Sequence, residues 1–220
     1  MFAKQFISSE IFPLKKSDQA ESALMFMGDW MVKQLPVVDN LRVLGFVSEK
    51  SLMENSDKKV EELLQTDVNH YCIQEHIHVF EIWFILYQYN LTSLAVINTD
   101  GQYVGVIAAQ DIALQTFSGS SLMQEGSIIV LEMEAIQYSL AEISRICESN
   151  EAKIIHLMVI TLKDTGNTLH VSIKLNKQFL THVIASLERF GYKVIFTNSF
   201  LDSNQSFDDR YQWLVKYLNT

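Results

Sequence analysis

The chain repeats itself, and this constrains its fold more than any other feature. The stretch LPVVDNLRVLGFVSEKSL from Leu35 aligns with LAVINTDGQYVGVIAAQDI from Leu94, 59 residues later. One extra residue near Asp100 lengthens the offset to 60, so Gly45 matches Gly105. Such a period marks a supersecondary unit that cannot bury its apolar face alone and must stack on its copy. Short apolar runs bounded by turn signals predict buried strands over 35–38 and 43–47, and again over 94–97 and 103–107. Asp39-Asn40 and Asn98-Thr99-Asp100-Gly101 supply turn residues that tolerate left-handed backbone. Upstream, Ala20, Ala23, Leu24 and Met27 form one apolar stripe. Val79, Ile82, Trp83 and Leu86 form another at the same offset, so each copy gains an amphipathic helix. Ser17 and Asp18 are N-cap candidates for the first of these. Each unit therefore reads strand–helix–strand–strand–helix.

LPVVDN followed by a turn and LGFVS resembles the CBS-domain signature, and LAVINTDGQYVGVIAAQD resembles it a second time. Any α/β repeat with a hairpin before a helix shares the outline; the double occurrence at this spacing singles out the family. The resemblance spans roughly residues 5–120. It implies a tandem pair packed face to face as one Bateman module, with repeat 1 over 1–65 and repeat 2 over 66–120.

The second half has a different rhythm. GSSLMQEG, residues 119–126, reads as a linker. Strands are predicted over 127–134, 154–162, 169–175 and 192–197. Helices are predicted on the stripe Leu140, Ile143, Ile146, Cys147 and over 177–189, the latter closed by Gly191. Lys163 to Asn167 is a hairpin signal. The order βαββαβ is the ferredoxin-like plan, expected over 127–198. Behind a CBS pair it resembles the ACT-domain proteins related to the acetoin-utilisation regulatory family. In those proteins an effector loop with Asp/Asn and Pro-Gly follows the first strand. Here that stretch is Ala135-Ile136-Gln137-Tyr138-Ser139, without proline or glycine, and Ser139 with Glu142 reads as a capping box. The tail, 199–220, turns amphipathic on Phe207, Tyr211, Leu214 and Leu218. The fold class expected is α/β (α+β): a tandem CBS pair, a ferredoxin-like ACT-like domain and a helical tail.

Charge narrows the partners. The net charge is −9, and residues 66–126 hold six carboxylates and no Lys or Arg. Nucleic-acid binders carry a basic face because phosphate contacts dominate their affinity, so nucleic acid is not an expected partner. The longest aromatic-aliphatic run, Ile82 to Tyr87, is far short of the roughly 20 residues of a membrane span. The N-terminus lacks a long apolar signal region. Cys72 and Cys147 form no CxxC pair, which fits a reducing compartment. A cytoplasmic chain is expected, with no membrane association and no cofactor.

No phosphate loop, dinucleotide fingerprint or nucleophile elbow occurs, so an enzyme is not expected. In the CBS family the second strand leads into a helix through Gly-x-x-[Ser/Thr]-x-x-[Asp/Asn]. The acid typically holds ribose hydroxyls, and the Ser/Thr typically reaches a phosphate. Copy one has Gly45 and Ser48 but Ser51 in the acid's place. Copy two has Gly105 and Asp111 but Ala108 in the Ser/Thr place. The resemblance thus implies Asp111 as a ribose acceptor and Ser48 as a phosphate-side group. Two plainer roles stand beside these: helix-dipole stabilisation for Asp111 and helix capping for Ser48. Triphosphates recruit Lys or Arg, and Arg42 and Lys50 are the nearest in copy one. An adenosyl ligand without a long phosphate chain is expected: AMP, a nucleoside or S-adenosylmethionine. The partners expected are a second copy, as a homodimer, and an unidentified target protein. The alternative is a scaffold that dimerises or docks without any ligand.

Overall fold

The computed structural model describes residues 1–162 and 166–198. The predicted tail lies outside the described residues, as do Lys163, Asp164 and Thr165 of the hairpin. The chain forms two compact units, Met1–Thr116 and Phe117–Thr220.

The first unit contains α1 (Ala20–Asp29), β1 (Gln34–Asp39), β2 (Arg42–Ser48), α2 (Glu49–Met53), β3 (Cys72–Gln74), α3 (Val79–Gln88), β4 (Ser93–Ile97), β5 (Tyr103–Ala108) and α4 (Ala109–Ser118). The hairpins β1–β2 and β4–β5 are antiparallel, and each carries a register shift at the same place in the repeat, after Val37 and after Val96. Asn40 and Leu41 take positive φ, 47° and 61°, to close the tighter first turn. The leading strand is complete only in the second copy, where β3 runs parallel to β4. The first copy keeps a single parallel bridge, Leu14 to Val37. Pro36 within β1 is tolerated there because that side of the strand carries little ladder to interrupt.

The expected helix faces are buried: Ala20, Ala23 and Met27 on α1, and Val79, Ile82 and Leu86 on α3. The cap of α1 differs from expectation. Its N-cap is Gln19, and Asp18 instead accepts the Lys15 amide at 2.8 Å, closing the turn before the helix.

The leading segments are exchanged between repeats. Ala3 and Phe6 belong to the core of Ile82, Leu94 and Ile107, in the second repeat. The amide of Ala3 donates to the Ile77 carbonyl, that of Ser8 to Val106. The stretch before β3 does the same for the first repeat: Val60 bonds Asp18, and Gln65 and Phe46 exchange two hydrogen bonds. Each hydrophobic core is therefore built from both sequence copies. Val106 and Ala108 of β5 likewise sit in the core of Leu35, Val37 and Leu52.

At the seam, a reciprocal set of hydrogen bonds joins β1 to β4. The Ser93 hydroxyl donates to the Gln34 carbonyl at 2.6 Å, and the Gln34 side-chain amide donates to the Ser93 carbonyl at 3.0 Å. The Lys33 amide donates to Thr92 Oγ1 at 2.7 Å. Ser93 is fully buried and Gln34 nearly so.

The second unit holds β6 (Ser127–Glu134), α5 (Leu140–Ser149), β7 (Ile154–Thr161), β8 (Thr168–Leu175), α6 (Thr181–Arg189) and β9 (Lys193–Thr197). The sheet order is β7-β8-β6-β9 with every neighbour antiparallel, which is the ferredoxin-like arrangement. Burial alternates strictly along β6 and β8, so Ile129, Leu131, Val171 and Ile173 meet α5 and α6 while the other row faces away. Ser139 caps α5 by accepting the Glu142 amide, as expected. The capping box is not completed, because the Glu142 carboxylate accepts instead from the Tyr192 hydroxyl at 2.9 Å. Helix α6 is shorter than the predicted 177–189. Residues before Thr181 are held by tertiary bonds: Lys177 offers its carbonyl to Ser127 and its ammonium to the Asn150 carbonyl.

Removing the Ser93 hydroxyl leaves the buried Gln34 carbonyl without that donor. Ser93→Ala is expected to lower unfolding stability by about 1–3 kcal/mol, read from urea denaturation of the full chain. An unchanged midpoint would show that the seam bond contributes nothing.

Candidate functional site: the acidic cleft at Asp111

Three segments meet beside the first turn of α4. Gly105 allows the first to approach. A Cβ placed there would collide with the Ile7 side chain, so glycine lets the N-terminal segment lie against β5 without displacing that side chain. Gly45 does the same in the first copy, where a Cβ would meet the Gln65 carbonyl oxygen and the Leu64 side chain. The second segment is the end of α1, where Met31 takes a positive φ of 51° and turns the chain. Trp30 is stacked there on Phe26, with ring centroids 5.3 Å apart. The third is α4 itself, whose first amide, Ala109, donates to the Thr92 carbonyl at 2.9 Å. The equivalent amide of α2, Glu49, donates to Lys33. The residues that seal the seam thus also seat the two helices that follow the motif strands.

These segments enclose a cleft of about 190 Å³, lined by Ser8, Glu10, Asp29, Trp30, Met31 and Asp111, among others. A polar recess against Ser9 and Gln115 adjoins it and shares Asp111 and Glu10. Asp111 is half-buried. Glu10, Asp29 and Asp111 give three carboxylates, and no Lys or Arg lines either recess. Such a rim attracts cations and ligand hydroxyl donors and repels phosphate oxygens. Trp30 and Met31 offer the apolar surface on which a planar ring could lie.

Ser48 does not line this cleft. Its side chain caps α2, accepting the Ser51 amide at 3.3 Å. Ala108, in the equivalent place, is buried in the core. Arg42 and Lys50 are exposed and away from the cleft lining. Sequence reasoning named Asp111 but missed Glu10, Asp29 and Trp30, which reach the site from elements about 80 to 100 residues away. The one available signal was Gly105, whose missing side chain implies that another segment crosses there.

The thiols are unsuited to chemistry. Burial pushes Cys72 up to about 11. Burial, with the neighbouring Glu148 charge, pushes Cys147 up to about 11. Burial also raises the Tyr103 phenol. Among the described residues, no group of three His, Cys, Asp or Glu side chains could hold a metal ion, and no helix is long and apolar enough to cross a membrane.

The CBS domain family model matches residues 3–58 and 60–115, and the chain belongs to that family as a tandem pair. Among curated relatives, inosine-5'-monophosphate dehydrogenase of Methanocaldococcus jannaschii is 23% identical over 113 residues, covering 50% of this chain and 22% of the relative. The Thermoplasma acidophilum enzyme is 24% identical over 182 residues, covering 81% and 36%. The chain spans about a third or less of the length of these relatives. Similar solved structures include a CBS domain pair/ACT domain protein from Thermotoga maritima, with 16% identity, a TM-score of 0.45, and coverage of 54% of this chain and 98% of that one. Another is CBSX2 in complex with AMP, with 18% identity, a TM-score of 0.46, and coverage of 53% and 96%.

Two outcomes are expected from this geometry. Gly45→Ala meets backbone and is expected to cost about 1–3 kcal/mol of stability. Gly105→Ala meets only a movable Ile7 side chain and is expected to cost less; chemical denaturation of both variants checks the order. The raised thiol values mean that Cys72 and Cys147 stay protonated until pH approaches 11. Alkylation at pH 8 is therefore expected to be far slower than for a free cysteine, and to speed up as pH rises. Rapid labelling of the folded chain at pH 8 would contradict this.

Proposed function

We propose that the chain is a non-catalytic regulatory module whose CBS pair senses an adenosyl ligand in the cleft at Asp111. The observation that carries this reading is the cleft's composition: a ribose-type acceptor in the first turn of α4, an aromatic and a thioether wall, and three carboxylates without a cation. An ionised carboxylate accepts two hydrogen bonds from a cis-diol. The same carboxylates disfavour a triphosphate, which leaves AMP, a nucleoside or the cationic S-adenosylmethionine. The reading assigns one site per chain, since Ser51 replaces the acid in the other copy. Ser48 keeps its phosphate-side role only if the ligand draws it away from the Ser51 amide.

In this reading residues 1–65 and 66–120 are the repeats, and 127–198 form an ACT-like domain that receives the signal. The protein works as a cytoplasmic homodimer on a target protein. Binding regulates only if the ligand prefers one of two states. A second reading, a ligand-independent dimerisation or interaction scaffold, is favoured by the incomplete motifs and by Phe80, Phe84 and Tyr87, which lie exposed along one stripe of α3.

Thermal melting against adenosine, AMP, ADP, ATP, S-adenosylmethionine, NAD and free amino acids separates the two readings. A ligand at 100 times its dissociation constant adds about 2.7 kcal/mol. The expected result is a shift with AMP, a nucleoside or S-adenosylmethionine exceeding that with ATP. Asp111→Ala is expected to weaken that ligand by about 1–3 kcal/mol. No shift from any compound would favour the scaffold. A shift from an amino acid alone would move the site to the ACT-like domain.

A further inference from the structure

The sheet of the second unit packs its helices on one face only. Helices α5 and α6 lie on the side that carries Ile129, Leu131, Val171 and Ile173. On the other side, cross-strand pairing sets out adjoining rows of side chains. The middle row runs Met158, Ser172, Val130, Phe196, from β7 to β9. It is apolar except for Ser172, and both of its ends stand open: Met158 is 43% and Phe196 53% exposed. Ile160, 48% exposed, widens it at the β7 end. The rows on either side are polar. One holds Glu132, which pairs with His170 at 3.2 Å and with Lys193 at 2.5 Å. The other holds Lys174, whose ammonium donates to the Leu122 carbonyl at 2.6 Å. That bond, with one from the Ser121 hydroxyl to the Ile155 carbonyl, fastens the turn Ser121–Met123 to this side of the sheet. The result is an apolar trough with polar flanks that crosses all four strands.

We propose that the chain's own last segment, residues 207–218, lies in this trough as an amphipathic helix, entering at β9 and ending over β7. The segment lies outside the described residues, and its sequence supplies the match. Phe207, Tyr211, Leu214 and Leu218 share one helical stripe, with Asp209, Gln212 and Lys216 opposite. Ser206 and Asp209 have the spacing of a capping box, which sets the helix start at Phe207. The lengths agree. A helix over 207–218 is about 18 Å long, and four strands span about 14 Å from first to last. The chain leaves β9 at Asn198, whose amide and side chain both bond Ile128 beside the trough. The stretch 199–206 reaches at most about 28 Å, enough to turn back over Phe196. The charges agree as well. Entry at β9 brings Asp208 and Asp209 to the end where Lys193 stands exposed. It also puts acids in the first helical turn and Lys216 in the last, as the helix dipole favours. The short link selects this copy over a second one, because it holds the segment near its trough at about millimolar effective concentration. The docking is independent of Asp111 and of any ligand.

Hydrogen exchange of the full chain, followed by mass spectrometry at low and high protein concentration, tests this. The expected result is protection of amides within 211–218 that is the same at both concentrations. Leu214→Asp in the segment, and Phe196→Asp and Met158→Asp in the trough, should each speed exchange there at least tenfold. Amides of β8 should stay as protected as before; the three variants together guard against one that fails to fold. In Met158→Cys/Leu218→Cys, a short bis-maleimide is expected to link the two positions within one chain and leave the denatured mass single. An unprotected segment would overturn the proposal, as would protection indifferent to both trough variants. So would protection that fades on dilution, or a cross-link that doubles the mass. Ligand-induced melting shifts measured on the same variants report on the Asp111 cleft separately.

Discussion

The hydrogen bonds between Gln34 and Ser93 hold the first unit to a single arrangement. Both groups are buried, so each bond that fails leaves a polar atom without water to replace it. Apolar packing alone would tolerate small slips of one repeat against the other, since dispersion and burial are non-directional. The reciprocal pair is directional. One residue before it, Lys33 and Thr92 give their carbonyls to the first amides of α2 and α4. The seam therefore fixes where both motif helices begin, and with them where Asp111 lies.

The exchange of leading segments follows from the same constraint. A unit of about 60 residues exposes both a strand edge and a helix face, and neither is covered by its own sequence copy. Ala3 and Phe6 complete the second repeat's core, and the stretch from Lys58 to Gln65 completes the first. The crossings run closest at Gly45, against the Gln65 carbonyl, and at Gly105, against the Ile7 side chain. The second crossing also brings Glu10 to Asp111 and to the end of α1. The cleft is thus a by-product of how the repeats close on each other, and this is why a ligand lodged in it would report on their relative position.

Local patterns carried most of the fold. Alternation along 169–175 is enough to place β8, since a strand buried on one face must repeat every two residues, and the apolar run that leads 127–134 places β6 without telling which of its residues face the core. The repeated signature placed both hairpins to within a residue or two. Two other features depended on partners remote in the sequence and were not legible. Nothing near Lys177 indicates that its ammonium reaches the Asn150 carbonyl and delays α6. Nothing near Glu142 indicates that Tyr192 draws its carboxylate away from the cap. Asp18 does not cap α1: its carboxylate accepts the Lys15 amide, and Gln19 takes the N-cap position. At the cleft, the motif position singled out Asp111. Glu10, Asp29 and Trp30 arrive by the segment exchange, which no local pattern encodes.

The most direct test of this account is the stoichiometry of calorimetric binding of AMP and S-adenosylmethionine to the full chain, beside ATP. The account predicts one site per chain for AMP or S-adenosylmethionine, weakened in Asp111→Ala, with ATP the weaker ligand. Two equivalent sites per chain, or ATP binding tightest with Asp111→Ala unaffected, would contradict it.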